Sequence, residues 1–345
     1  MAQQARMPFR FSTRQDIQRV GQIPFNANGG TPLELPRVGF LSRVILQFVG
    51  TVTLSGAGAL SNLGPWNLLT RIKVNSNINS FVWDTTGYGA YLENSMLARG
   101  FAPDLAGAGS TTPDPFIHSA PVASGANAWN ITWILPVGAN QGSNFEAGLI
   151  NLQSPQIRLT VEPTFCNITD VAPLATAITG NLFVYYEYYE LPDPTRSSYP
   201  ALNLVRTIED QQSINGTGPN IYTVPRQGTL LHLVHYMRLN NARSESYDSA
   251  QIRFNFSTFP YQVDHNIMRL RNRELIGRDF PTGAYVHDFW HATEDVSAGD
   301  NRDVIDTEKL STLESIINVS SGAGLGVTGT NFFNSVRRIV QVFQQ

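Results

Sequence analysis

The sequence predicts an all-β protein built as two tandem β-sandwiches, each with a short inserted helix. Three observations predict it. The chain has 345 residues, a length that suits about two domains of roughly 150 residues, each long enough to bury its own core. Runs rich in β-branched and aromatic residues recur at strand length between clusters of Gly, Pro and Asn, the pattern of a sandwich or barrel. The same order of elements also occurs twice along the chain.

Residues 1–35 read as an N-terminal arm. Through residue 25, Arg6, Arg10, Arg14 and Arg19 face a single acid, Asp16, and the segment ends in the turn-rich stretch NANGGTPLELP. The arm is expected to be loose, or to bind a neighbouring subunit, an acidic lipid surface or packaged nucleic acid. The first sandwich is expected over 36–192. FLSRVILQFVGTVTL (40–54), WNLLTRIKVNSN (66–77) and SFVWD (80–84) are its first strands. In GYGAYLENSMLARG (87–100), Tyr88, Tyr91, Leu92, Ser95, Met96 and Arg99 fall at helical spacing, and Gly100 is a C-terminal stop. After a Pro/Gly/Ala loop come strands at WNITWILPV (129–137) and LQSPQIRLTVEP (152–163).

NLFVYYEYYELPDPT (181–195) closes this half. Pro192 and Pro194 stop the strand, and 193–204 reads as a linker. Tyr185 and Tyr189 share one face with Phe183 and Glu187; Tyr186 and Tyr188 share the other with Leu182, Val184 and Glu190. One face serves the core. Tyr186 and Tyr188 are the candidate contact face toward a neighbouring barrel, because Tyr offers area together with a polar tip.

The second sandwich is expected over 205–345. It offers TLLHLVHYMRLN (229–240), the alternating QIRFNFSTF (251–259), a helix over 264–277 ended by Gly277, then AYVHDFWH, KLSTLESIINVSS (309–321) and the closing strand NFFNSVRRIVQVF (331–343). LQSPQIRLTV and LSTLESIINV show the internal correspondence best, and the closing strands begin Asn-Leu-Phe and Asn-Phe-Phe.

This element order, with a short basic arm and Asn/Gly/Ser/Thr-rich loops, resembles the double jelly-roll major capsid proteins of tailless icosahedral DNA viruses, including membrane-containing bacteriophages. The resemblance runs from about Phe40 to Val342. It implies two tandem eight-stranded jelly rolls, a homotrimer forming a six-barrel pseudo-hexamer, and capsomers that tile an icosahedral shell. It further implies virion localisation after assembly in the host cytoplasm. The implied partners are neighbouring capsomers, penton and minor capsid proteins, and an internal lipid membrane or packaged DNA reached through the arm. The loops here are shorter than in the larger members, so small towers or separate spike proteins are expected. The alternative is a receptor- or glycan-binding sandwich of the spike or lectin kind, which needs exposed Trp or Tyr around a shallow site.

Composition bounds the chemistry. Net charge is −3, so there is no global basic field for nucleic acid. Charged residues make up 15%, below the usual quarter, and all cations but Lys73 and Lys309 are arginines, which suit planar bidentate contacts at interfaces. Cys166 is the single cysteine, which excludes an intramolecular disulfide and a Cys-based zinc cluster. No stretch approaches the ~20 apolar residues of a membrane span, and the opening residues lack the apolar run of a secretion signal. The five N-x-S/T sequons, at Asn130, Asn167, Asn215, Asn255 and Asn318, matter only on a secretory route.

No enzyme and no cofactor is expected. GAGLGVTG (322–329) lacks the helix and acidic partner of a dinucleotide fingerprint and reads as a turn. There is no G-x-S-x-G nucleophile elbow. A bicupin would need His-x-His, which does not occur among His118, His232, His235, His265, His287 and His291. His287 and His291 on a strand would stand roughly 13 Å apart, too far for one metal. His232 and His235 fall on opposite faces. Glu294, Asp295, Asp303 and Asp306 read as a solvated polar loop rather than a Ca²⁺ site.

Overall fold

The computed structural model describes residues 9–77, 81–97, 116–138, 148–190, 203–276, 280–290, 304–326 and 329–342. Arg6, the Arg10 side chain, Gly100, the linker centre at Asp193, Gly277, His291, Glu294, Asp295 and Asp303 lie outside them.

The first half carries β1 (Gln15–Pro24), β2 (Leu33–Glu34), β3 (Phe40–Leu54), β4 (Leu69–Ser76) and β5 (Phe81–Thr85). Helix α1 (Gly87–Leu97) follows, then β6 (Gly125–Pro136), β7 (Leu159–Phe165) and β8 (Ala175–Tyr189). The second half carries β9 (Asn203–Ser213), β10 (Gly218–Thr223), β11 (Thr229–Leu239), β12 (Tyr247–Phe254) and β13 (Thr258–Asp264). Helix α2 (His265–Ile276) follows, then β14 (Ala284–Asp288), β15 (Leu313–Val319) and β16 (Phe332–Val342). Four shorter strands, Ile117–Ser119, Ile150–Asn151, Ala242–Arg243 and Ile305–Asp306, extend the sheets.

The spatial orders are β1-β8-β3-β6 and β2-β7-β4-β5 in the first half, and β9-β16-β11-β14 and β10-β15-β12-β13 in the second. Each strand number of the first half plus eight gives its counterpart in the second. The chain is thus two eight-stranded jelly rolls, each with its helix between the fifth and sixth strands. Pairing within each roll is antiparallel. The rolls are joined by one parallel pairing among the described residues, Thr207 and Ile208 of β9 beside Trp83 and Asp84 of β5.

The strand period of two builds the first core. Val44, Leu46 and Phe48 of β3, Trp129, Ile131, Trp133 and Leu135 of β6, and Leu182, Val184 and Tyr186 of β8 are all buried in one cluster. The second roll has its own cluster around Leu233, Tyr247, Ile252, Ile317 and Phe333. β11 does not alternate because both its faces are covered: Leu233 and Met237 enter the second core, while Val234 and Tyr236 join the first.

The structure differs from the sequence expectations at definite places. Residues 15–24 are not part of a free arm: they pair with the tyrosine strand β8 from Gln15–Tyr189 to Pro24–Asn181. Ile17, Val20 and Ile23 hide this strand because a bulge between Arg19 and Gly21 breaks their alternation. β9 starts at Asn203, inside the span expected to be linker, and its sequence NLVRTIEDQQS was not anticipated as a strand. The segment 152–163 is extended only from Leu159, since Pro155 cannot donate to a ladder. The run 251–259 is a hairpin: Asn255 and Phe256 take positive φ, 50° and 64°, and turn β12 into β13.

Candidate assembly surfaces and the seam between the rolls

The two rolls meet across a seam made by α1 and β5 on one side and β9, β11 and β16 on the other. Two carboxylates organise it. Glu93 of α1 is fully buried. Its Oε2 accepts from His232 Nε2 at 2.8 Å and its Oε1 from Arg338 Nη1 at 3.0 Å. Arg338 also donates to the Gly138 carbonyl at 2.6 Å. Burial pushes the Glu93 carboxyl upward, but His232 and Arg338 outweigh it and the net shift is downward, so Glu93 is ionised.

Glu209 of β9 is the second. Its Oε2 accepts from the Thr86 N–H at 2.6 Å and the Thr86 hydroxyl at 2.9 Å, just before α1 begins. Its Oε1 accepts from the Tyr236 hydroxyl at 2.6 Å and Asn334 Nδ2 at 2.8 Å. A carboxylate at the start of a helix faces the positive end of its dipole. Gly89 permits this approach: a Cβ there would sit 2.2 Å from Glu209 Oε2. Tyr88 meets Tyr236 edge to face at 5.0 Å. A cleft of about 420 Å³ opens at the rim of this seam, lined in part by Thr86, Tyr88, Gln211, Tyr236, Arg238 and Asn334. Several of these groups are already bonded to one another: Thr86, Tyr236 and Asn334 all donate to Glu209.

The site residues read from the sequence are placed as follows. Tyr186 lies in the first roll's own core, fully buried, donating to Gln18 Oε1 at 2.9 Å. It therefore has no surface for a neighbour. Tyr188 stacks on it at 4.8 Å and is half-buried. The outward face of β8 is instead the one with Phe183, Tyr185 and Glu187. Arg14 bonds Asp16 at 3.0 Å and Glu190 at 2.9 Å. Arg19 stacks over Phe183 at 4.3 Å and donates to Gln22. Both lie at the outer edge of the first sheet, at or beside β1.

His235 is buried between two serine hydroxyls, Ser335 at 2.8 Å from Nδ1 and Ser315 at 3.0 Å from Nε2, with no carboxylate on either nitrogen. Among the described residues no group of three or more His, Cys, Asp or Glu side chains could hold a metal. No described helix is long and apolar enough to cross a membrane.

No family sequence model matches the chain, and no curated protein sequence matches it. Solved structures do. The crystal structure of the major capsid protein of Sulfolobus Turreted Icosahedral Virus matches with TM-score 0.69 and 12% identity, covering 96% of this chain and 98% of that one. The PBCV-1 virus capsid matches with TM-score 0.59 and 12% identity, over 95% and 94%. The major capsid protein P2 of Bacteriophage PM2 matches with TM-score 0.54 and 11% identity, over 96% and 99%. The chain has the double jelly-roll fold of these capsid proteins.

In this double jelly roll the two halves are not equally covered. Every residue from Gly87 to Met96 of α1 is buried, held between its own core and the second roll. The counterpart helix α2 buries only Met268 and Asn272 among Asn266 to Glu274, and leaves Ile267 48% and Leu270 51% exposed. β5 is paired on both sides, by β4 and β9, whereas among the described residues β13 pairs only with β12. Among the described residues β1 pairs only with β8, and its Ile17 is 60% exposed.

Proposed function

We propose that this protein is the major capsid protein of a tailless icosahedral virus, a homotrimer whose six jelly rolls form a pseudo-hexameric capsomer. The observation that carries the proposal is the match of the whole tandem arrangement, covering 96% of this chain and 98% of a viral capsid protein. Its work is assembly rather than turnover. Symmetry makes many modest contacts act together, and a standard contact buries ~1,600 Å². Neighbouring capsomers and penton or minor capsid proteins are the proposed partners. The N-terminal arginines, Arg6 and Arg10 among them, are proposed to face the interior, toward a membrane or packaged DNA.

A glycan- or receptor-binding role has weaker support. Such sites stack ligand on exposed aromatic faces, and Trp66, Trp83, Trp129, Trp133 and Trp290 are all buried. The test is light scattering with electron microscopy on the purified protein. A particle of three times 38.1 kDa with a six-lobed outline is expected. A protein that stays monomeric at micromolar concentration would overturn the proposal.

A further inference from the structure

The internal repeat supplies a template for the contact between copies. The helices align without gaps: Leu92-Glu93-Asn94 of α1 matches Leu270-Arg271-Asn272 of α2, with Leu97 opposite Leu275. This register equates Thr86 with Asp264, and Trp83 and Asp84 with Tyr261 and Gln262. The sheets align as well. Ile150–Asn151 pairs with the start of β3 as Ile305–Asp306 pairs with the start of β11, each followed by a bulge at one residue, Ser42 or Leu231. Beyond the bulge Arg43 stands opposite Glu187 as His232 stands opposite Arg338. Glu187 is therefore the counterpart of Arg338. Its partner Ile17 is the counterpart of Thr207, Gln18 of Ile208, and Arg19 of Glu209.

The Glu93–Arg338 charges are exchanged at their counterpart positions, and the carboxylate-to-threonine contact of Glu209 has an arginine and an aspartate at its counterparts. Within the chain, Glu93 meets Arg338, and Glu209 meets Thr86 at the start of α1. At the counterpart positions Arg271 would approach Glu187, a carboxylate that already holds Arg43 and Gln15 within the chain, and Arg19 would meet Asp264. Arg271 and Asp264 are exposed on the bare face of α2 and β13, and Arg19 is exposed on the unpaired edge of β1. Each half of a complementary contact is thus present, at opposite ends of the chain.

We infer that β1 of one copy adds in parallel to the free edge of β13 of the next, repeating between copies the β9–β5 seam found within the chain. Ile17 and Gln18 lie beside Tyr261 and Gln262, Arg19 pairs with Asp264, and Arg271 adds a second cation to the Arg43–Glu187 pair. Ile17, Ile267 and Leu270 become covered, as Thr207 and α1 are covered inside the chain. The contact joins two different surfaces, so it propagates head to tail and makes a ring when the rotation closes. This rests on the trimeric capsomer reading and specifies its interface.

Two experiments test it. In a Gln18→Cys/Gln262→Cys variant, mild oxidation should give a ladder of covalent dimer and trimer on a non-reducing gel. Either single variant should give none, Cys166 being buried. Arg19→Glu or Asp264→Arg alone should weaken the trimer about tenfold or more, and the double variant should recover it, with circular dichroism confirming the fold of each. A normal trimer that neither cross-links nor responds to these reversals overturns this interface and leaves the capsomer reading standing. Absence of any trimer in the unmodified protein overturns both.

Discussion

His287 shows at the scale of one side chain how burial sets the solution behaviour of this protein. It is buried against Tyr285, Phe289 and His235, with Tyr261 and Arg271 nearby. Burial first, and then the Arg271 charge, lower its pKa to about 3. His235, buried beside it, is lowered in the same direction. The unfolded chain therefore binds these protons more readily than the folded one. Stability is complete above about pH 6.5 and falls as pH drops from there toward 3. For His287 alone the loss at pH 5 is about 2 kcal/mol. Urea midpoints at pH 7.5 and pH 5 measure it. His287→Phe, which keeps a ring in the site, should flatten the difference substantially; an unchanged pH dependence in that variant would refute the assignment.

At the scale of elements, the seam depends on how closely α1 approaches β9. Gly89→Ala puts a methyl where Glu209 Oε2 stands, at 2.2 Å, with Val336 Cγ2 at 3.1 Å. The carboxylate must give up its bonds to Thr86 or the helix must lift. Despite the better helix propensity of Ala, we expect a loss of about 2 kcal/mol, read as a lower denaturation midpoint, because a buried network loses a partner. A gain in stability would show that the approach is slack. The sequence could not show this seam. β3, β6, β8, β11 and β16 were legible because their apolar residues alternate or run continuously, and both helices were legible from spacing. β1 and β9 were not: one is broken by a bulge, and both keep polar residues on strands that look like loop. β9 is also the strand that joins the rolls, so the seam residues Glu209 and Thr207 went unseen with it. Glu93, His232 and Arg338 were lost for another reason, since they are scattered along the chain and only the fold brings them together. The Asn-Leu-Phe and Asn-Phe-Phe match misled by one residue. Glu187 corresponds to Arg338, so Phe183 corresponds to Asn334, not Phe333, and on a strand that slip exchanges core for surface. Tyr186 looked like a contact residue for a different reason: both faces of β8 carry Tyr, and the face shared with Leu182 and Val184 is the one the core takes.

For the molecule as a whole, the same seam decides whether two rolls behave as one body. Val234, Tyr236, Val286 and Val336 of the second roll are packed in the first roll's core, and the sheet runs on from β9 into β5. The second roll cannot unfold without opening the first roll's core, and unfolding the first uncovers these four residues of the second, so one cooperative transition is expected. Fluorescence, dominated by Trp66, Trp83, Trp129 and Trp133 of the first roll, should coincide with circular dichroism, which reports both rolls. Glu93 is the lever on this coupling. In Glu93→Gln the shape remains, but Arg338 keeps its charge in a fully buried place without a counter-ion. Such a removal costs about 3–5 kcal/mol. Because the cost falls on contacts between the rolls rather than on either core, the two probes should separate as well as shift to lower denaturant. A variant that unfolds at the unmodified midpoint, with the two curves still superposed, would mean that the apolar seam alone holds the rolls together and that the buried ions contribute nothing to their coupling.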